Sequence, residues 1–513
     1  MKKGYLRVSL ILFILSFFIY SSLTAKKIEQ KTSLKDFPEF VDEIMKEWKV
    51  PGLAIAIVKD REVIFSEGFG FRDVKRGLKV SPQTIFAIGS CTKAFTATCV
   101  GMLVDEEKLD WDKPVREYLP SFKLYDLFAT ERMTPRDLVC HRSGLPRHGF
   151  MWVSSPATRK ELFDRLQYLE PSKDLRSTYQ YNNLMYMVAG DMVGQIAGTT
   201  WEDFVQKRIF NPSGMKDSNV SLEESQKAPD FALPYMEKEG EVVQIPFQSY
   251  ENAGPCGSIN SNITDMAKWI LLNLNKGKHG EKQIISEDSL KEIHSPQIII
   301  SKTISDELFY PAYGMGWGVT TYRGHLMLSH TGGALGLNSL VSLMPRGNIG
   351  LVILTNMQQW RLAPNRTINY NVYDRLLGLD QIPWNERFKD RRDKAIKGAE
   401  KVKKQKEKDR KLNTKPSHPL ADYVGDYHDP GYGIISIEKE GNHLKVTYNS
   451  NSYPLTHYHY DVFEYRISKI SHWYGMTKMV SFFTDTKGNI QSLAVRFEPA
   501  VKEIVFTKVP EKK

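Results

Sequence analysis

Apolar positions recur along the chain at two periods, and the change of period divides it. Phe37 to Trp48 places apolar residues at helical spacing, which predicts an amphipathic helix. Leu53-Ala-Ile-Ala-Ile-Val58 and Val63-Ile-Phe65 are compact apolar runs around the polar turn Lys59-Asp60-Arg61-Glu62, which predicts two strands. A long apolar helix is expected from about Ser90 through Val104. Thr134 to Pro146 reads as a capped helix ending in a Gly/Pro loop. Further helical patterns are expected at 159–169, 184–196, 201–209 and 265–274, and strand-like runs at 316–321, 326–330, 340–344 and 349–355. Strand, then many helices, then strands predicts an α/β sandwich built on one antiparallel sheet made from both chain ends.

Two later stretches break this pattern. Residues 386–415 are dominated by Lys, Glu, Asp and Arg, with Phe388, Ala395, Ile396, Ala399, Val402 and Leu412 as the apolar positions. They read as a charged, basic, solvated linker helix, with contact to an anionic surface through 387–411 as the alternative. Beyond Pro416, Tyr-rich short strands alternate with turns such as Gly441-Asn442 and Lys487-Gly488-Asn489. The strands are expected at 433–438, 443–448, 462–467, 479–484, 491–497 and 503–508. They predict a small all-β antiparallel barrel or sandwich of roughly 95 residues. The expected division is therefore 1–25, 26–385, 386–415 and 416–513.

Composition narrows the reading. With 513 residues, 41% hydrophobic and 25% charged, the chain has material for large cores and is not a disordered polymer. Lys2, Lys3 and Arg7 precede an apolar run to Tyr20 and small residues ending at Ala25. This predicts a signal peptide over 1–25 and an exported, periplasmic or secreted protein, with an uncleaved N-terminal anchor as the alternative. The net charge of +10 misleads, because 387–411 alone holds 13 Lys/Arg against 5 Asp/Glu. The folded domains are close to neutral, which does not support a nucleic-acid surface. Cys91, Cys99, Cys140 and Cys256 form neither a disulfide framework nor a metal pattern.

Candidate chemistry begins at Ser90-Cys-Thr-Lys93. Three residues is just under one helical turn, so both side chains share a face. A hydroxyl beside an amine makes a nucleophile with its own base, provided burial lowers the amine's pKa. Ser213-Gly-Met-Lys216 and Ser436-Ile-Glu-Lys439 match the same spacing, so the pair alone decides nothing. Tyr179-Gln-Tyr181-Asn182-Asn183 can aim a phenol and an amide at one pocket, and a phenolate near a cation is a workable base; aromatic residues capping the next helix are the plainer explanation. His330-Thr331-Gly332-Gly333, at the end of a strand, lets backbone approach a ligand and offers amides to an oxyanion; a glycine-rich turn is the alternative there. On a possible strand, His457 and His459 would share one face but have no third ligand at metal-site spacing, so no metal site is expected.

In this order and spacing, the three elements resemble the three-part signature of serine penicillin-recognising enzymes. The sequence is similar to the class C β-lactamase-like serine hydrolases, including CubicO-type and penicillin-binding-protein-like members. Val50–Val58, Leu103–Val115, Tyr118-Leu-Pro120, Thr134–Pro146, Ile209–Lys216, Gly254–Ser261 and Tyr313–Gly318 also fit. The resemblance spans roughly residues 35 to 380 and assigns Ser213 to scaffold. The remainder, with Tyr423-Val-Gly-Asp-Tyr427, resembles the lipocalin-like domain appended to such enzymes, which could bind an apolar ligand, form oligomers or cover the active site.

The resemblance implies a β-lactamase/transpeptidase-like sheet flanked by helices and an acyl-enzyme route without cofactor or metal. It makes Ser90 the nucleophile, with Lys93 and Tyr181 sharing proton transfer. Asn183 would bind the acyl side of the substrate, and the Ser90 and Gly333 amides would hold the oxyanion, within a wall formed by His330, Thr331 and Gly332. Two positions depart from the family. Glu107 stands where relatives commonly end the helix with glycine, and His330 stands where β-lactamases carry lysine. A largely neutral histidine weakens carboxylate recognition. The expectation is a hydrolase of small esters, amides or D-amino-acid peptides. A class C-type β-lactamase or penicillin-binding carboxypeptidase is the alternative. From other classes come a non-catalytic β-lactam or peptide sensor and a surface scaffold acting through the basic tract.

Overall fold

The computed structural model describes residues 34–302, 305–358, 360–468 and 475–510, so the expected signal peptide lies outside the described residues. Helix α1 (Phe37–Glu47) leads into strands β1 (Gly52–Lys59), β2 (Glu62–Asp73) and β3 (Leu78–Lys79). A helical block follows: α2 (Thr92–Asp105), α3 (Pro135–Val139), α4 (Gly149–Trp152), α5 (Leu184–Ala197) and α6 (Ile263–Leu274). The chain then returns to the sheet through β4 (Ile298–Ile299), β5 (Leu308–Tyr313), β6 (Gly318–Tyr322), β7 (His325–Ala334), β8 (Leu337–Met344) and β9 (Ile349–Thr355). Helices α7 (Ala363–Leu377) and α8 (Trp384–Asp409) complete the first unit.

The nine strands form one antiparallel sheet in the order β4-β5-β6-β7-β8-β9-β1-β2-β3. Both chain ends meet where β1 pairs with β9, Leu53 opposite Thr355 and Lys59 opposite Ile349. Strand β1 is apolar throughout because both its faces are covered. Ala54, Ala56 and Val58 face the helical block, while Leu53, Ile55 and Ile57 face α1, α7 and the start of α8. The first core is centred on α2, whose Phe95 stacks on Trp269 of α6 at 3.8 Å between ring centroids. Helix α2 is buried almost all round, so it has no polar face to read as amphipathic.

One local expectation changes and another holds. His330-Thr-Gly-Gly is not a turn: β7 continues through it to Ala334, pairing Gly333 with Asn338. A Cβ on Gly332 would lie 1.8 Å from the Ile88 carbonyl oxygen, so this strand is glycine because another backbone lies against it. Glu107 keeps the expected turn despite its side chain, in the left-handed region at φ 57.

The C-terminal unit is a closed barrel of eight strands: β10 (Gly425–Asp429), β11 (Gly433–Glu440), β12 (His443–Tyr448), β13 (Asn451–His459), β14 (Val462–Arg466), β15 (Thr477–Thr484), β16 (Ile490–Val495) and β17 (Ile504–Lys508). Pairing of β10 with β17 closes it. The pattern of apolar positions missed β10 and β13. Gly-Asp-Tyr-His-Asp and a run containing Pro454 have poor strand composition, and they bury only Tyr427 in the first and Tyr453, Leu455 and Tyr458 in the second. Eight strands leave an interior just wide enough for side chains. Here Tyr423, Tyr427, Tyr448, Phe463, Phe482, Phe497 and Phe506 fill it, leaving little room for an apolar ligand.

Helix α8 joins the units as a strut. Trp384 and Phe388 anchor its start in the second core, while Lys406 near its end pairs with Glu464 of the barrel at 2.5 Å. The barrel core is continuous with the first core of the sheet domain, where Phe150 of α4 stacks on Phe497 at 4.9 Å.

A left-handed non-glycine residue costs roughly 1–2 kcal/mol, part of which glycine returns as unfolded-chain entropy. Glu107→Gly is therefore expected to stabilise the first unit by about 0.5–1 kcal/mol. A thermal midpoint raised by roughly 1–3 °C supports this; a lowered midpoint contradicts it.

Candidate active site

A cleft of about 840 Å³ opens between the edge of β7 and the helical block, with Ser90 in its wall. Ser90 sits in a 3₁₀ turn, Gly89–Cys91, that runs directly into α2. The turn is stitched to the sheet. Ser339 donates to the Ile88 carbonyl at 2.6 Å, and the Cys91 thiol approaches the His330 carbonyl at 3.3 Å. Gly89 takes φ 48, and a Cβ there would sit 2.7 Å from the Gly333 amide nitrogen, so the nucleophile turn and the glycine strand are in contact. That contact sets the Ser90 turn against the backbone of Gly333.

Lys93 lies in the first turn of α2, three residues after Ser90, and is fully buried. Its Nζ is 3.0 Å from Ser90 Oγ and donates to the Cys256 carbonyl at 2.7 Å. Burial lowers its pKa to about 8, with the nearby Arg147 charge adding to the effect. Lys93 can thus lose its proton near neutrality and accept one from Ser90.

Tyr181 donates its hydroxyl to Ser90 Oγ at 2.7 Å. Burial raises its pKa, and this outweighs the lowering by Ser90 and Arg147. The resting phenol is a proton donor, which differs from the phenolate considered above: here the cost of desolvating an anion exceeds the help of nearby cations. Asn183 starts α5 beside the cleft with its buried Oδ1 unpartnered, open to a ligand donor. Asn182 instead turns inward and donates to the Pro146 carbonyl at 2.5 Å.

His330 is buried in β7. Its Nδ1 lies 2.7 Å from the Thr331 carbonyl, which assigns the proton to that nitrogen. Nε2 is then the acceptor for the Tyr313 hydroxyl at 2.9 Å. Burial holds its pKa down at about 3, so it is neutral and both ring nitrogens are engaged. Thr331, Gly332 and Gly333 line the cleft beside it.

The structure separates the true pair from its two look-alikes. Ser213 is buried, with its hydroxyl unpartnered. Ser436 lies on the barrel and donates to Asp426 at 2.6 Å. On a strand, Lys439 points to the opposite face.

Other residues place these groups. His141 is buried behind Tyr181, with ring centroids 4.2 Å apart, and its Nδ1 accepts the Asn182 amide at 3.1 Å. Buried Asp137 draws the two neighbouring loops together through Arg142 at 2.5 Å and Arg176 at 2.8 Å. The contributions of Cys256, Arg147, Trp152, Tyr250 and Tyr313 to the site were not read from sequence. The stretches Gly254–Ser261 and Tyr313–Gly318 were noticed only as matching segments, because a backbone carbonyl or a wall position has no residue-type signature. All four cysteines are free and buried, and among the described residues no cluster of His, Cys, Asp and Glu could hold a metal ion.

Comparison with known proteins agrees with this geometry. The sequence model of the Beta-lactamase family matches residues 37–372, and that of a domain of unknown function (DUF3471) matches residues 409–508. An unguisins hydrolase, ungD', from Aspergillus campestris (strain IBT 28561) is 27% identical over 444 residues, which is 82% of this chain and 81% of the relative. The putative penicillin-binding protein PbpX of Bacillus subtilis (strain 168) is 26% identical over 337 residues, covering 65% of this chain and 78% of the relative. The octameric penicillin-binding protein homologue from Pyrococcus abyssi shares the fold, with a TM-score of 0.60 at 23% identity, over 92% of this chain and 100% of that one.

If neutral Lys93 is the base, reaction at Ser90 follows its deprotonation. Labelling of Ser90 by a fluorophosphonate is expected to accelerate up to about tenfold per pH unit below about 8 and to level off above it. A rate independent of pH from 6 to 9 would remove Lys93 from that role.

Proposed function

The chain belongs to the Beta-lactamase family and is a serine hydrolase of the β-lactamase and penicillin-binding-protein kind, and on that premise we propose that it acts through an acyl-enzyme intermediate on small esters, amides or D-amino-acid peptides. The observation that carries this reading is Ser90 Oγ within hydrogen-bond reach of both Lys93 Nζ and the Tyr181 hydroxyl at the wall of a cleft.

In this proposal Ser90 Oγ attacks the substrate carbonyl while Lys93 takes its proton. The Ser90 and Gly333 amides stabilise the oxyanion, a contribution worth roughly 3–4 kcal/mol per donor. Tyr181 passes its phenolic proton to the leaving group and recovers one through Lys93. Asn183 binds the acyl side through its free amide oxygen. Water then attacks the ester at Ser90 with Lys93 and Tyr181 in the reverse roles, and nothing in this cycle calls for a metal or cofactor. Export, expected from the first 25 residues, would place the reaction outside the cytoplasm.

The neutral, doubly bonded His330 argues against a β-lactamase as the principal activity. It offers no cation at the strand position where a penicillin carboxylate would be met. Two relatives carry the name unguisins hydrolase, which supports hydrolysis rather than binding alone. A sensor that acylates without turnover is the second reading. The same Lys93–Tyr181 pair disfavours it, because a base beside the acyl-serine promotes deacylation.

Wild type and Ser90→Ala, each treated with a fluorophosphonate and weighed intact, test this reading. A single adduct on wild type, with none on Ser90→Ala, is expected, together with turnover of activated esters at least about 1000-fold above the variant. Absence of wild-type labelling would sink the enzyme reading. A stable adduct from an ester substrate would transfer support to the sensor, and efficient penicillin hydrolysis would reverse the ranking of substrates.

A further inference from the structure

The cleft holds a cation from an unexpected direction. Arg147 follows the loop Ser143-Gly-Leu-Pro and lies exposed in the cleft wall, its guanidinium 4.7 Å from the centre of the Tyr181 ring. Among the described residues no hydrogen bond or ion pair holds its guanidinium, which faces an aromatic ring instead. Tyr181 in turn touches Ser90, which puts this free fork of donors beside the reacting centre. An unpaired guanidinium in a cleft is matched by a planar, bidentate acceptor such as a carboxylate.

The position of Arg147 is set from the other domain. His148 takes φ 45 and bonds through Nδ1 to the Tyr432 hydroxyl at 2.8 Å. The Gly149 amide donates to Glu498 at 2.5 Å, and the Phe150 carbonyl accepts from Tyr448 at 3.1 Å and Asn449 at 2.7 Å. Every residue from His148 to Phe150 is therefore tied to the barrel. Glu498 lies close enough to feel the Arg147 charge, but it is buried and turned onto the Gly149 amide.

We propose that Arg147, held by the barrel through the 148–150 segment, is the anchor for a substrate carboxylate, so that the cleft selects acyl donors carrying a free carboxylate and the C-terminal domain sets that selectivity. This rests on the hydrolase reading above. It also explains how a site whose β7 residue is a neutral histidine meets an anion: the charge comes from the loop side, over Tyr181, rather than from the strand. Arg366 lines the same cleft from α7, but no described contact ties it to Ser90, Lys93 or Tyr181.

Two pairs of thioesters test the proposal on the full chain. In one pair the carboxylate is on the leaving group, in the other on the acyl group, and each has its carboxamide twin. The readout is the ratio of kcat/KM for the anionic substrate over its twin. Arg147→Gln is expected to lower that ratio roughly 10–100-fold in one pair, through KM, with Arg147→Lys recovering part of it. Glu498→Ala is expected to lower the same ratio in the Arg147 background and to leave it unmoved once residue 147 is glutamine. A ratio within about threefold of wild type in both pairs for Arg147→Gln overturns the proposal. An equal effect of Glu498→Ala in both backgrounds overturns the barrel's part in it. Failure of the hydrolase reading would look different: wild type would process none of the four thioesters and take no fluorophosphonate.

Discussion

An amine sealed in a protein interior without a carboxylate partner is the constraint on which this structure turns. Lys93 is fully buried, and its nearest polar partners are a serine hydroxyl and the Cys256 carbonyl, both neutral. A charged ammonium in such a place is costly, and the protein meets that cost by letting the proton leave near neutrality. The surrounding architecture maintains the arrangement. Helix α2 is buried on all sides, its first turn is stitched to β7 and β8, and Gly89 and Gly332 allow backbones to approach where a Cβ would collide. Opening any of these contacts would admit water and return Lys93 toward an ordinary, permanently charged lysine.

The same exclusion of water governs the groups around that amine. Tyr181 stays protonated because burial penalises the phenolate, and His330 stays unprotonated because burial and the Lys93 charge penalise the imidazolium. His330 is further occupied on both nitrogens by the Thr331 carbonyl and the Tyr313 hydroxyl. Tyr181 and His330 are therefore neutral around an amine that sheds its proton near pH 8, a set suited to moving a proton. A guanidinium lies at the exposed margin of the cleft, over the Tyr181 ring.

The barrel changes meaning once its interior is seen. Aromatic rings fill its axis, so its contribution lies at its surface, where Tyr432, Tyr448, Asn449, Phe497 and Glu498 hold α4 and the residue before it. Helix α4 is one turn long and could not persist alone, since so short a helix gains too little to offset its nucleation. The cleft wall that it forms exists because the second domain supplies its hydrogen-bond partners.

Much was legible from residue order. Continuous apolar runs located β1, β9 and α2, because strands buried on both faces and a wholly buried helix must be apolar along their length. Ser90, Lys93, Tyr181, Asn183 and His330 were singled out because nucleophile and base chemistry demands particular residue types at particular spacings. Sequence could not rank Ser90 over Ser213 and Ser436 by spacing alone, nor find β10 and β13, whose polar residues serve a barrel's outer face. It offered a phenolate at Tyr181 as one workable base but could not fix its resting state, since the sign of a pKa shift depends on how much water the fold excludes. The Cys256 carbonyl, the neutral wiring of His330 and the placement of Arg147 by a domain some 300 residues onward were decided by tertiary structure alone. Local sequence specifies which groups a chain can present. Which of them lose water, and what then lies within 3 Å of them, is settled only when distant segments pack.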